Sequence, residues 1–223
     1  LLYTPIAGVN AQALDENDVP IPGSSSVSNA DGVAICCVPH GVQVTLTANA
    51  TGYPPVYMEN AVLTFPWVFG LASADGGSEN GLLMLSTSTL EAVGPLFGTP
   101  LSLAQPVVVV DLTTLAAESP CRSQKSGWQI GMSLLDGGAM AAGSYVEAYM
   151  GLDELPDPDA GLTTQGGVVL FYNIDLSISA MRLTAVNTNA DAGDCPSVNA
   201  AIGLTGVVET NNGEMTYAPI MMP

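Results

Sequence analysis

Four consecutive valines, Val107 to Val110, follow Pro106 and lead into Asp111 and Leu112. A side chain branched at Cβ favours extended backbone. A strand with one wet face alternates apolar and polar residues, and this one does not. It is therefore expected to be covered on both faces or to lie centrally in a sheet. A chain that contains such a strand must supply other strands to flank it and layers to enclose it.

The remaining β-prone runs are of the half-buried kind. Residues 28–48 read as turn, strand, turn and strand. Asn29, Ala30, Asp31 and Gly32 reverse the chain, because Asn and Asp tolerate left-handed backbone and Gly supplies it. Val33, Ile35 and Cys37 alternate with Ala34, Cys36 and Val38. Period two is expected to place Cys37 with Val33 and Ile35 on the core face, and Cys36 on the other. Pro39, His40 and Gly41 turn the chain again. Val42, Val44 and Leu46 then alternate with Gln43, Thr45 and Thr47, a strand with a polar outer face.

Residues 6–14 read as a first strand and 56–69 as another β-prone run, broken by Pro66. Residues 72–80 read as a loop and 81–85 as a short apolar strand. Ser88 and Glu91 have capping-box spacing, with Leu90, Val93 and Phe97 on one face, so a short helix is expected over 88–98. Gly94 and Pro95 limit it to a turn or two. The domain boundary is expected at 98–105, giving domains 1–104 and 105–223. The second half repeats the first in diverged form: 141–144 stands where 20–24 stands, 163–167 where 29–32 stands, and 168–174 where 33–38 stands. An insertion at 113–127 interrupts the match, and Asp175-Leu176 replaces the Pro-x-Gly turn. Near the end, Asn211-Asn212-Gly213 between two β-prone runs is a hairpin signal.

The pattern of Pro20-Ile21-Pro22-Gly23, Asn29-Ala30-Asp31-Gly32, Val38-Pro39-His40-Gly41 and Thr51-Gly52-Tyr53 resembles a carboxypeptidase-regulatory-like module over residues 6–62. Residues 106–223 are similar to a second, diverged copy. The resemblance implies transthyretin-like (Ig-like) β-sandwich domains and carries over no catalytic signature. The expected fold class is all-β, two such sandwiches in tandem with one connector helix.

Composition narrows the partners. Only 11% of residues are charged, against roughly 25% in an ordinary protein, while 48% are hydrophobic. Such a surface favours packing against other chains. The net charge is -18, with three basic residues, which repels nucleic acid and anionic membrane surfaces. No apolar run reaches the roughly 18 residues that span a bilayer. The chain starts at Leu1 and is rich in Thr, Ser, Asn and Gly. A processed chain, extracellular or at the cell surface, is expected.

Cys121 and Cys195 each sit beside a proline in a loop of the second half, and in an exported protein a disulfide between them is expected. The alternative is two free thiols in a reducing compartment. Cys36 and Cys37 are adjacent and point apart on a strand, so they chelate a metal poorly even with His40 nearby. Buried hydrophobes, a vicinal disulfide or a bond to another chain are the alternatives for them. His40 is the only histidine, set in a turn, and no catalytic arrangement can use another. Calcium is the cation to expect, if any: Asp15, Glu16 and Asp18 form one acidic loop, and Asp153, Glu154, Asp157 and Asp159 another, neither with EF-hand spacing. No other cofactor is expected.

The expected function is a non-catalytic extracellular structural protein that associates with copies of itself, as a fibre or filament subunit does. Its apolar ends, Leu1, Leu2 and Tyr3 and Ile220, Met221 and Met222, are the expected contacts, each adding to a neighbour's open sheet edge. The alternative is a monomeric adhesion module for carbohydrate or a surface protein. That would show Trp67, Trp128 or several tyrosines clustered on one face.

Overall fold

The computed structural model describes residues 5–62, 69–70, 82–114, 121, 125–151, 156–164, 166–188 and 207–222. The fold is all-β. In chain order the strands are β1 (Asn10–Leu14), β2 (Ser26–Val27), β3 (Val33–Ala34), β4 (Gln43–Asn49), β5 (Val56–Val62) and β6 (Phe69–Gly70). Helix α1 (Thr87–Leu96) follows. Then come β7 (Val107–Thr114), β8 (Trp128–Ser133), β9 (Val146–Tyr149), β10 (Val168–Tyr172), β11 (Ala180–Asn187), β12 (Val207–Glu209) and β13 (Met215–Met222). One eight-stranded sheet has the order β2-β1-β4-β5-β13-β7-β10-β9, beside a three-stranded sheet β12-β11-β8 and a pair β3-β6.

The valine strand lies where its composition demands. β7 is flanked by β13 in parallel and β10 antiparallel, and Val107 to Val110 are at most 1% exposed. Val107 and Val109 face one core, with Leu90 and Val93 of α1, Leu46 of β4 and Leu170 of β10. Val108 and Val110 face a second, with Trp128, Ile130, Leu183 and Phe171, enclosed between the large sheet and the three-stranded one.

The large sheet runs through the boundary expected at 98–105. β5 from the first half pairs in parallel with β13 at Met215↔Val56 and Thr216↔Tyr57, and the first core draws residues from both halves. β13 carries a proline in its interior. The Met215 N–H donates to the Pro55 carbonyl, so by alternation the odd residues of β13 turn their backbone groups toward β5 and the even ones toward β7. Pro219 is odd, and its ladder partners lie on the β7 side, so its missing N–H costs that ladder nothing.

Ile220 is fully buried in the second core of its own chain. That corrects the expectation that Ile220 reaches a neighbour: β13 pairs with β7 along its whole length, and the side chain is already used. Met221 and Met222 continue the same ladder, opposite Thr113 and Thr114. Leu1, Leu2 and Tyr3 lie outside the described residues.

Two registers differ from expectation. Ala34 is buried and Ile35 is 71% exposed, so the inward set after Gly32 is the even one. Pairing of Val33 with Gly70 and Ala34 with Phe69 fixes that choice. Cys36 is half-buried and Cys37 exposed, the reverse of what period two from Val33 implies. In β4, Thr45 and Thr47 are buried along with Val44 and Leu46, and the Thr47 hydroxyl donates to the Gln12 carbonyl at 3.3 Å.

Helix α1 starts earlier than the capping-box spacing suggests. Ser86 is its N-cap, its Oγ accepting from the Thr89 N–H at 3.1 Å, and Ser88 lies within the first turn. Leu90 and Val93 are buried and Phe97 packs against the same core. Gly94 is the contact point of the helix with the chain that follows. A Cβ there would stand 2.4 Å from the Leu101 nitrogen and 2.8 Å from the Pro100 Cα, both backbone atoms that cannot rotate away. Gly94→Ala is therefore expected to destabilise by about 1–3 kcal/mol in denaturant unfolding, the range of an overpacked core. Gly161→Ala, where a Cβ meets nothing within 4 Å, serves as the control and should stay within about 0.5 kcal/mol of wild type.

Candidate functional site

A β-protein that binds through its sheets must leave an edge accessible. At one end of the large sheet, β2 is only two residues long, a length that offers little to a partner strand. At the other end stands β9. The Met150 N–H donates to the Val168 carbonyl, so Ala148 and Val146 also turn toward β10, and Glu147 and Tyr149 turn their backbone groups outward. The Tyr149 carbonyl is taken by the Asp157 N–H at 2.9 Å.

β8 is an edge of the three-stranded sheet, and its outward groups are met by side chains and loop. Thr163 bonds both sides of Trp128: its Oγ1 accepts from the Trp128 N–H at 2.9 Å and its own N–H donates to the Trp128 carbonyl. The Tyr149 hydroxyl accepts from the Ile130 N–H at 3.1 Å. A tyrosine on the edge of one sheet thus caps a backbone donor on the edge of the other.

Tyr145, Glu147 and Tyr149 occupy alternate positions and so share a strand face. Tyr149 is buried in the second core, and the Tyr145 ring meets Phe171 edge-on with centroids 5.6 Å apart. The Glu147 carboxylate bonds the Tyr149 hydroxyl, while its Oε1 is buried with no hydrogen-bond partner among the described residues. Burial pushes the Glu147 carboxyl above its ordinary range, and the bond from Tyr149 offsets part of this. Burial, then the charge of Glu147, raises Tyr145. Burial and the bond to Glu147 raise Tyr149, which stays a phenol able to donate to the carboxylate. The cluster can hold or release a proton at Glu147. Among the described residues no third His, Cys, Asp or Glu joins Glu147 to make a metal-ligand group.

The residues singled out by sequence are dispersed. Asp15 Oδ1 accepts from the Asn17 and Val19 N–H groups, both at 2.9 Å, and so organises its own turn. Asp157 Oδ1 does the same for the Asp159 N–H at 3.0 Å. Asp153 and Glu154 lie outside the described residues, and among the described residues no three His, Cys, Asp or Glu side chains gather as metal ligands. Trp128 is fully buried, so it offers no stacking surface for a sugar, and Trp67 lies outside the described residues. His40 is exposed in its turn. Cys36 and Cys37 are free thiols. Cys121 is buried and disulfide-bonded, and Cys195 lies outside the described residues.

No family model, curated protein or solved structure matches the chain. Sequence reasoning missed the Tyr145-Glu147-Tyr149 face. The signal was present as a carboxylate between two tyrosines at period two, which on an edge strand marks an inward-held charge.

The raised Glu147 sets the sign of a pH dependence. The folded state holds this proton more tightly than the unfolded state, so the contribution of Glu147 is most favourable at low pH. It is lost as pH rises from the ordinary value of 4.5 through the folded one. Glu147→Gln is expected to remove that loss. Chemical denaturation across this range should show the variant gaining on wild type as pH rises, whereas parallel curves would mean Glu147 is solvated.

Proposed function

We propose that the chain is a non-catalytic structural protein, extracellular or on a cell surface, that associates with copies of itself. One observation carries this: large aliphatic side chains stand in water on the first-half strands and the loop after β3, with Ile35 71% and Val27 60% exposed. Their backbones lie close, the Ile35 N–H donating to Ser26 Oγ at 3.1 Å, one residue from Val27 on end strand β2. At a net charge of -18, copies repel each other over most of their surface. Uncharged apolar surface is where two copies meet at least cost. The burial of Trp128 weighs against a carbohydrate-binding face, and the resemblance to carboxypeptidase-regulatory-like modules agrees with a scaffold role. The contact lies away from Ile220.

Sedimentation velocity over rising concentration should show oligomers that dissociate on dilution, and Ile35→Lys with Val27→Lys should return the chain to monomer. A single monomeric species at the highest attainable concentration would overturn self-association and leave the adhesion module in its place.

The same proposal includes the Cys121–Cys195 disulfide. Cys36 and Cys37 are free, and Cys195 is the only other cysteine available to Cys121. It would tie the 113–127 insertion to the 190–199 loop. Peptide mapping of unreduced protein should recover the two segments linked; both cysteines alkylated without reductant would refute the pairing.

A further inference from the structure

Cys36 and Cys37 are the nucleophilic side chains that no role above absorbs. β3 ends at Ala34 and the next ladder starts at Gln43, so both cysteines stand outside the sheets. Alternating burial turns the two side chains apart, so closure requires the peptide between them to rotate, and no ladder pairs the backbone there. Cys37 is exposed and Cys36 half-buried beside it. The loop is framed on one side by the Ser26 Oγ bond to the Ile35 N–H, and on the other by the turn at His40 and Gly41.

We propose that Cys36 and Cys37 form a thiol–disulfide exchange site, which closes to a vicinal disulfide with a small-molecule disulfide as oxidant. The exposed Cys37 thiolate attacks one sulfur of the oxidant, forming a mixed disulfide and expelling the first thiol. The Cys36 thiolate then attacks the Cys37 sulfur and expels the second. One S–S bond breaks and one forms. The two cysteines are oxidised, the oxidant is reduced, and its two thiols carry away the two protons. Burial, and secondarily the charge of Cys37, raises the Cys36 thiol, so the closing step speeds up as pH rises.

Ring geometry makes the closed form reversible. Adjacent Cα atoms lie about 3.8 Å apart, below the roughly 4.4–6.8 Å of an ordinary disulfide, and such strain makes the bond easier to reduce. The site is thus suited to follow the surrounding thiol–disulfide ratio, and a permanent staple would need another geometry. Because β3 pairs with β6 through only Val33↔Gly70 and Ala34↔Phe69, closing the ring would pull on a short ladder directly upstream.

Full-length protein should be titrated with oxidised glutathione and followed by intact mass and peptide mapping. The expected product is a monomer lighter by two hydrogens, with the new bond inside the peptide that holds residues 36 and 37. A mild dithiol should restore the starting mass while the Cys121 disulfide persists. Cys36→Ser should stop at a stable glutathione adduct on Cys37, and Cys37→Ser should react more slowly than Cys36→Ser at neutral pH. A covalent dimer through Cys37, or stable adducts on both cysteines of the wild type, would overturn the proposal. The wild-type mass alone decides the matter if a variant fails to fold. The outcome is independent of self-association, since ring closure is read on a monomer.

Discussion

Burial of β7 on both faces is the constraint from which the rest of the architecture follows. Val107 and Val109 need one layer and Val108 and Val110 another, and each layer recruits a different part of the chain. The first is built from α1 and from residues of the first-half strands. The second is built from β8, β11 and β12. At about 25 cal/mol per Å² of apolar surface removed from water, a strand covered twice over stabilises far more per residue than any edge strand. The strands beside it are fixed by this demand, and β13 is held there by the Tyr217 hydroxyl as well, which donates to Asp111 Oδ2 at 3.0 Å.

Much of this was legible in the chain. The all-β class, the two-faced valine strand, the short helix and the turns could all be read from local pattern, because each rests on residues close in sequence. Asn29 shows why: its Oδ1 accepts from the N–H groups of Asp31 and Val33, a turn that needs no distant partner. The likeness of two turns rests on equally local bonds. Gly23 and Gly143 share a left-handed backbone, and Ser24 and Ser144 donate their N–H groups to Ile21 and Ala141 in matching turns.

What could not be read was set by contacts remote in sequence. The local pattern of β4 and β11 gives no hint that the first joins the large sheet and the second the small one. The facing of Cys36 and Cys37 depends on β6, more than thirty residues away, since its pairing with β3 decides which parity points inward. Alternation alone leaves a two-residue strand free to choose either face. The Glu147 cluster was missed because its meaning lies in Tyr149 reaching β8, the preceding strand, which belongs to the other sheet.

The position of β13 has a consequence for the order of assembly. Its two neighbours, β5 and β7, both precede it in the chain yet do not pair with each other; they wait for a strand that begins at Met215. Until it arrives, the facing edges of both present unpaired N–H and C=O groups, and the first core lacks Met215 and Tyr217. Contacts so distant along the chain slow the search for the native state. Synthesis from the N-terminus therefore produces β5 and β7 with an open seam between them, and β13, which emerges after both, closes it. The nascent chain passes through a stage in which strand insertion from another molecule competes with its own.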